Sequence, residues 1–364
     1  MKGDQTHIGK QFIPSLLDQF FFHGPNGYHQ CLVGEPAGCS IAKSKEDSVN
    51  LMFPRDAARS IAAQLIMGMS YLHSNDVCHG GKYKLILASE IYHSTYLTLA
   101  DIHLHNILLR APNFDSLNTE ELYERYGKPH GVPIVREDGK PSKPHAPQQA
   151  IYPMNLNMPA DRMINPGIII SDYGTSFVVS QTSSPKIHTP ALYSPPEDFF
   201  GESIIKPTAA DVWTLGVNLY ETLGERPLFE TFAWDHDDIV AEMINVLGQP
   251  PARWWNSWVN RPEFFEPDGS WITNFRCIST PVFRRLRQRL WDMSRGETPE
   301  TCEWNVAEGE LRALENLLRG MMTFEPAERP TAEHLLVSEY MEKWAMPAWK
   351  RQKKQRGYVE EKQH

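Results

Sequence analysis

No run in these 364 residues approaches the about 18 consecutive apolar positions of a membrane-spanning helix, so no membrane span is expected. The opening MKGDQTHIGKQF lacks the apolar centre of a secretory signal. Five cysteines (31, 39, 78, 277 and 302) form no C-x-x-C pair and leave one unmatched, which argues against a disulfide framework and for reduced thiols. No internal repeat is present, which sets aside a repeat architecture. Positive charge is in deficit: 36 Lys and Arg stand against 45 Asp and Glu, a net charge of −9. The segment from 341 carries seven of the basic residues and three acids, so the body before it is at −13. A nucleic-acid binder shows the opposite sign, and direct nucleic-acid binding is not expected. An acidic body favours basic partners, and the terminal RQKKQRGYVEEKQH reads as a solvated, frayed end. What is present is ordinary globular stock: 41% apolar and 22% charged residues, enough for one large domain or two modest ones.

Along the chain, SLLDQFFFH and YHQCLVG flank GPNG, which predicts a hairpin over 15–34. Pro54 opens a helix that places Ala58, Ile61, Ala62, Leu65, Ile66, Met69 and Leu72 on one face. Residues 111–166, rich in Pro, Asn and Lys, read as a long loop that ends in a short strand at Gly167–Ser171. From 208 the pattern is helical. Thr208 can cap a helix bearing Val212, Leu215, Leu219 and Leu223, with Gly224 as its stop. Further helices are predicted at 237–248, 281–294, 307–319 and 331–345, with Trp254, Trp255 and Trp258 as packing residues.

The chemistry-bearing pieces are few and ordered: Asp101-Ile-His103-Leu-His105-Asn106, Asp172-Tyr173-Gly174 behind an apolar strand, Pro195-Pro196-Glu197, Asp211 opening a helix, and Arg329 in FEPAERP. Phosphoryl transfer needs cations on the phosphates and a carboxylate at the attacking hydroxyl. Asp101 and Asn106 fit the D-x-x-x-x-N loop, and Asp172 fits the metal-binding Asp of D-F-G with Tyr in place of Phe. Oxygen donors of this kind suit Mg²⁺. Taken singly, Asp101 also reads as a turn cap and Asp211 as a helix-opening acid. His103 and His105 suggest a metal pair only if a third ligand exists.

Together these motifs resemble the eukaryotic protein kinases, in the SR-protein-kinase-like group familiar from filamentous fungi, over residues 8 to 350. The resemblance implies an α+β, protein-kinase-like fold, with a helical large lobe over 38–347 and only a remnant of the β-rich small lobe with the hinge over 8–37. A basic tail over 348–364 follows. It implies a serine/threonine kinase using ATP and Mg²⁺. Adenine would contact the hinge residues Val33, Gly34, Glu35, Pro36 and Ala37, with Gly34 gating the back of the pocket. Asn106 and Asp172 would hold the metal, and Asp101 would orient the acceptor hydroxyl. His103 stands in the catalytic loop where the family has Lys. His79 and Gly174 belong to the family's H-x-D and D-F-G motifs. Glu197 and Arg329 would form a buried ion pair, and Asp211 would accept backbone N–H groups from the catalytic loop. Implied partners are protein substrates, Arg/Ser-rich ones among them; a monomer, cytoplasmic and also nuclear, is expected.

Three departures stand out. The resemblance begins at the family's fourth strand, with no Gly-rich loop, strand Lys or partner Glu ahead of it. Twenty residues, 81–100, separate His79-Gly80 from Asp101; without them the text reads VCHGDIHLHNILL. A retained intron explains this: Gly81-Lys82-Tyr83 can encode a GTAAGT donor, Leu97-Thr98 a CTAAC branch point and Ala100-Asp101 a CAG acceptor. The competing reading is a genuine surface insertion. Third, Gly80 replaces the Arg that normally answers a phosphate on the activation loop, so phosphorylation at Thr182, Ser183, Ser184 or Thr189 would lack its counter-charge. Two rival functions follow. One is a small-molecule phosphotransferase, which Gly80 and His103 fit. The other is a catalytically dead, pseudokinase-like interaction fragment.

Overall fold

The computed structural model describes residues 6–24, 27–80, 102–141, 146–154, 156–182, 189–204, 206–231, 235–272 and 285–361. A 3-10 turn at Ile8–Phe12 comes first and lies on the long helix introduced below as α2. A Cβ on Gly9 would stand 1.9 Å from the Met67 carbonyl oxygen, so only glycine allows this approach. The hairpin follows as expected: β1 (Leu16–Gly24) pairs antiparallel with β2 (Gly27–Gly34), Phe21 opposite Gln30 and Phe22 opposite His29. The Phe21 and Tyr28 rings stack at 5.1 Å. Both strands remain largely in water, since a two-stranded ribbon has no second layer against which to bury a face.

After the hairpin, β3 (Ala37–Ser40) runs into α1 (Ile41–Glu46), where the Ser40 hydroxyl accepts from the Lys43 amide as an N-cap. Pro54 precedes α2 (Arg55–Ser74), in the place the sequence assigned. The single apolar face is corrected: α2 is buried all round from Ala57 to Leu72, because other elements pack on every side. Its buried Gln64 is satisfied by donating to the Pro166 carbonyl (2.9 Å) and accepting from the Ile168 amide (3.1 Å).

Short strands then alternate with long connections. β4 (Val77–Cys78) precedes the interruption and β5 (Ile107–Arg110) follows it; residues 81–101 lie outside the described residues. The reading of 111–166 as a long loop needs correction. It contains α3 (Thr119–Tyr126) and a small hairpin of β6 (Gly131–Pro133) and β7 (Gln149–Ile151). Asn118 and Glu121 form a reciprocal capping box on α3, a local signal strong enough to nucleate a helix in polar sequence. β8 (Ile168–Ile170) completes a three-stranded sheet in the order β3-β5-β8, and β9 (Phe177–Val178) pairs with β4.

The remainder is helical: α4 (Pro196–Phe199), α5 (Pro207–Leu223), α6 (His236–Leu247), α7 (Ala252–Ser257), α8 (Leu286–Trp291), α9 (Glu310–Met321), α10 (Ala332–Leu336) and α11 (Met346–Glu361). α5 starts at Pro207 with no side-chain cap, so Thr208 is already inside it; proline at the first position presets φ and needs no donor. Gly224 ends it as predicted. Trp254, Trp255 and Trp258 are buried, with the Trp254 ring stacked on Phe200 at 5.1 Å.

The frayed-tail reading is corrected in part: the stretch 351–361 is helical and Gln352 is buried, while Arg351, Lys353, Lys354 and Gln355 are exposed as expected of a solvated end. A π-helical turn at Met341–Ala345 leads directly into α11, whose Ala348, Trp349 and Gln352 are buried. Trp349 meets Phe12 edge to face at 6.3 Å, and Gln352 donates to the Ile164 carbonyl at 2.8 Å. The basic residues masked this apolar seam, since Lys and Arg stems cover apolar surface while their charges stay in water. Among the described residues no helix is long and apolar enough to cross a membrane.

Candidate active site

Strand register builds the site. Ile107 pairs with Ile170, so Asn106 and Ser171 face each other where β5 begins and β8 ends. The Asn106 carbonyl accepts from the Ser171 amide (2.9 Å) and hydroxyl (2.7 Å). The chain then turns sharply at Asp172, whose φ of 60° is left-handed, and the Gly174 amide donates to Asp172 Oδ1 at 3.3 Å. Asp172 is exposed and Asn106 half-buried. A carboxylate and an amide oxygen at neighbouring strand ends are donors that suit a hard divalent cation.

His79 is fully buried beneath this turn. Its Nε2 lies 3.0 Å from the Ser171 carbonyl oxygen, which can only accept, so that nitrogen carries the proton. Burial holds the imidazole below its ordinary range and keeps it neutral. The Tyr173 ring packs on it at 5.0 Å, and the Tyr173 hydroxyl is buried with no partner among the described residues.

Asp211 is a buried acceptor for backbone amides. Its Oδ2 accepts from the His79 amide (2.8 Å) and its Oδ1 from the Gly80 amide (3.2 Å), while His73 Nε2 lies 3.1 Å from Oδ2. Burial alone would raise this carboxyl; the His73 side chain and the His79 amide hold it below the usual carboxylate range.

His103 is three residues before Asn106, whose amide donates to its carbonyl at 2.8 Å. Burial, reinforced by neighbouring His105, pushes the His103 imidazole down to about 4. The ring is therefore uncharged at neutral pH, where a lysine would be a cation. Among the described residues no three His, Cys, Asp or Glu side chains form a metal-sized cluster, so the His103–His105 pair has no third partner there. Asp101 lies outside the described residues, as do Ser183 and Ser184.

Glu197 and Arg329 pair as predicted, bidentate at 2.7 and 2.6 Å, with both side chains buried. Arg329 also donates to the Thr323, Ala209 and Phe324 carbonyls and lies 5.1 Å from the Trp213 ring centre. Tyr193, a few residues before Glu197, donates its hydroxyl to Glu221 of α5. Thr189 is buried.

A cavity of about 740 Å³ opens between the segment 6–15, which supplies most of its wall, and β5 and the end of β8. Glu35 and Ala37 line it, whereas Val33, Gly34 and Pro36 are not among its lining residues. Sequence reasoning missed Leu108, Ile169 and Ser171, which line it from β5 and the end of β8, and Lys353, which reaches it from α11. Leu108 pairs with Ile169, and Ser171 lies two residues beyond Ile169 and so on its side of the strand; nothing local signalled Lys353. Arg110 lies 3.4 Å from Glu35 at the same wall.

The protein kinase domain profile matches residues 153–341, which take in Asp172, Glu197, Asp211 and Arg329. Over 72 residues the chain is 39% identical to protein kinase dsk1 of Schizosaccharomyces pombe, covering 20% of this chain and 13% of that protein. It is 22% identical over 342 residues to a serine/threonine protein kinase of Aspergillus fumigatus, covering 92% of this chain and 70% of the other. With serine/threonine-protein kinase SRPK of Physarum polycephalum it shares 23% identity over 340 residues, 91% of this chain and 71% of that one. The chain therefore belongs to the protein kinase family, and within it to the eukaryotic serine/threonine kinases of the SR-protein-kinase-like group.

Proposed function

We propose that this protein transfers the γ-phosphate of ATP to Ser or Thr hydroxyls of protein substrates, Arg/Ser-rich ones among them. The observation that carries this reading is the bond from Ser171, the residue before the Asp172 turn, to the Asn106 carbonyl, with Ser171 lining the cavity beside Leu108 and Ile169. In this reading Asn106 and Asp172 hold Mg²⁺, which supplies charge neutralisation at the phosphates. Their exposed or half-buried oxygen donors fit such an ion. Adenine rests against the hinge at Glu35 and Ala37, and Asp101 orients the acceptor hydroxyl. Asp211 fixes the backbone of His79 and Gly80 ahead of Asp101, and neutral His79 ties that backbone to Ser171. We read β1, β2 and the hinge as the portion of the β-rich small lobe in this sequence, and α1 to α11 as the helical large lobe. We further read a monomer working in the cytoplasm and nucleus, with Arg-rich substrates favoured by the acidic body, and residues 81–100 as a retained intron. Phosphorylation of the activation segment at Thr182, Ser183, Ser184 or Thr189 is not the switch, since Gly80 offers no counter-charge.

A second reading, a non-catalytic interaction module, is favoured at His103: a half-buried imidazole stands where the family has Lys, and burial with neighbouring His105 pulls it down to about 4. The test compares Mg-ATP binding and phosphate transfer to an Arg/Ser peptide by the full chain and by a variant lacking 81–100, each alongside its Asp172→Asn counterpart. Transfer that appears or rises at least tenfold on removing 81–100, and is lost with Asp172→Asn, supports the kinase and the intron reading. Absence of both transfer and Mg-ATP binding in either form establishes the interaction module instead.

A further inference from the structure

We infer that Asp76 is a positioning residue for the activation segment: its carboxylate caps, from a separate stretch of chain, the first turn beyond the Asp172 corner. α2 ends at Ser74, and the chain leaves it through Asn75 and Asp76. The Asp76 amide donates to the His73 carbonyl at 3.0 Å, and its φ is 60°, the left-handed helix exit for which glycine is the favoured residue. Aspartate and asparagine are the side chains that tolerate this region best, yet glycine adopts it at no steric cost. An acid in glycine's place points to a task for the carboxylate.

That task lies in the segment that follows Asp172. β9 pairs with β4, Val178 opposite Val77 and Phe177 opposite Cys78, and a 3-10 turn at Val179–Gln181 comes next. The first amides of such a turn have no partner within it, and Val178 ahead of it has no side chain that can accept. Asp76 supplies both acceptors. Its backbone carbonyl takes the Val179 amide at 2.8 Å, and its Oδ2 takes the Ser180 amide at 3.0 Å. A carboxylate that accepts from a backbone N–H makes a charge-assisted bond, stronger than a neutral one. Two hydroxyls tie the same stretch: Ser176 donates to the His79 carbonyl at 3.1 Å and Thr182 to the Val178 carbonyl at 3.0 Å. The Asp172 corner is thus held at its entry by the β5–β8 register and at its exit by β4 and Asp76, through contacts that involve no phosphate.

The activity arm of the test rests on the kinase reading, and the exchange arm rests on geometry alone. Asp76→Gly keeps the left-handed exit and removes the carboxylate, whereas Asp76→Asn keeps both the exit and a side-chain oxygen acceptor. Both variants are made in the full chain and in the form lacking 81–100. Amide hydrogen exchange of Ser180 is followed by NMR, with residues 212–217 of α5 as the reference, together with Tm and transfer to the Arg/Ser peptide. Ser180 is expected to exchange at least tenfold faster in Asp76→Gly and within threefold of the parent in Asp76→Asn, with 212–217 unchanged in both. Where transfer is measurable, kcat/KM for the peptide falls at least fivefold in Asp76→Gly and recovers in Asp76→Asn. Unchanged Ser180 exchange in Asp76→Gly overturns the inference, and so does an equal acceleration in the two variants. Faster exchange over 212–217 alongside Ser180 is a general loss of stability and overturns it as well. If neither parent form transfers phosphate, the kinase reading fails while the exchange pattern still decides the role of Asp76.

Discussion

From Ala57 to Leu72 every residue of α2 is buried, whereas Phe20, Phe21 and Phe22 of β1 each keep nearly half their surface in water. Both segments are apolar-rich, so composition does not explain the difference. α2 is surrounded by the 3-10 turn, β8, α5, α10 and α11, while the hairpin packs chiefly within itself. Burial follows from how many neighbours an element can reach, and a two-stranded ribbon reaches few. The site lies at the junction of the two regimes: its buried pins, His79 and Asp211, belong to the α2–α5 body, and its exposed edge, the hinge, continues from the hairpin.

The largest effect expected lies in the body. Arg329→Ala leaves Glu197 buried without its partner and should cost about 3–5 kcal/mol, read as the shift in urea midpoint. A loss below about 1 kcal/mol would mean that water reaches Glu197 and that the body is less closed than its burial indicates. Next, Ile66→Ala in α2 should cost about 2–5 kcal/mol, against about 1 kcal/mol or less for Phe21→Ala in β1. Equal losses would break the comparison outright, because the hairpin would then be covered in solution.

A third test extends the contrast to charge. Lys45 is 5% exposed, and burial pulls its ammonium down to about 8 despite the carbonyls of Glu221 and Gly224 that it donates to. Below pH 8 the folded and unfolded chains both carry this proton. Between pH 8 and the ordinary lysine value of about 10.4 only the unfolded chain does, so stability should rise with pH across that window, by about 2–3 kcal/mol at most. Stability curves of Lys45→Met should lack this rise; an identical slope in both proteins would place the ammonium in water. The smallest effect is expected at Lys354→Ala on the outer face of α11, within about 0.5 kcal/mol by thermal melting.

Much of this was legible because it is local. The GPNG turn, Pro54 ahead of α2, Gly224 after α5 and the three isoleucines of β8 each announce their element through backbone preferences that act within a few residues. The order of the kinase motifs was legible too, and the Glu197–Arg329 and Asp211–Gly80 contacts came out as the resemblance implied. The misreadings have different causes. α3 was hidden by polar composition, although its Asn118–Glu121 capping box stood in the text. α11 was hidden because Trp349 and Gln352 pack on residues far away in sequence, Phe12 and Ile164 among them. The one-sided pattern assigned to α2 failed because periodicity reports an apolar stripe and not how many neighbours will surround it.

The sequence by itself determined which chemical groups are available, in what order, and where most helices and strands begin. Tertiary structure alone decided which of those groups meet: Asn106 beside Ser171 through the β5–β8 register, Gln352 on the Ile164 carbonyl, and Lys353 at the wall of the cavity. Backbone dihedral and capping preferences act over a handful of residues and can be read in order. Contacts between residues a hundred or more apart depend on how whole elements pack to exclude water, and no short window of sequence holds that information.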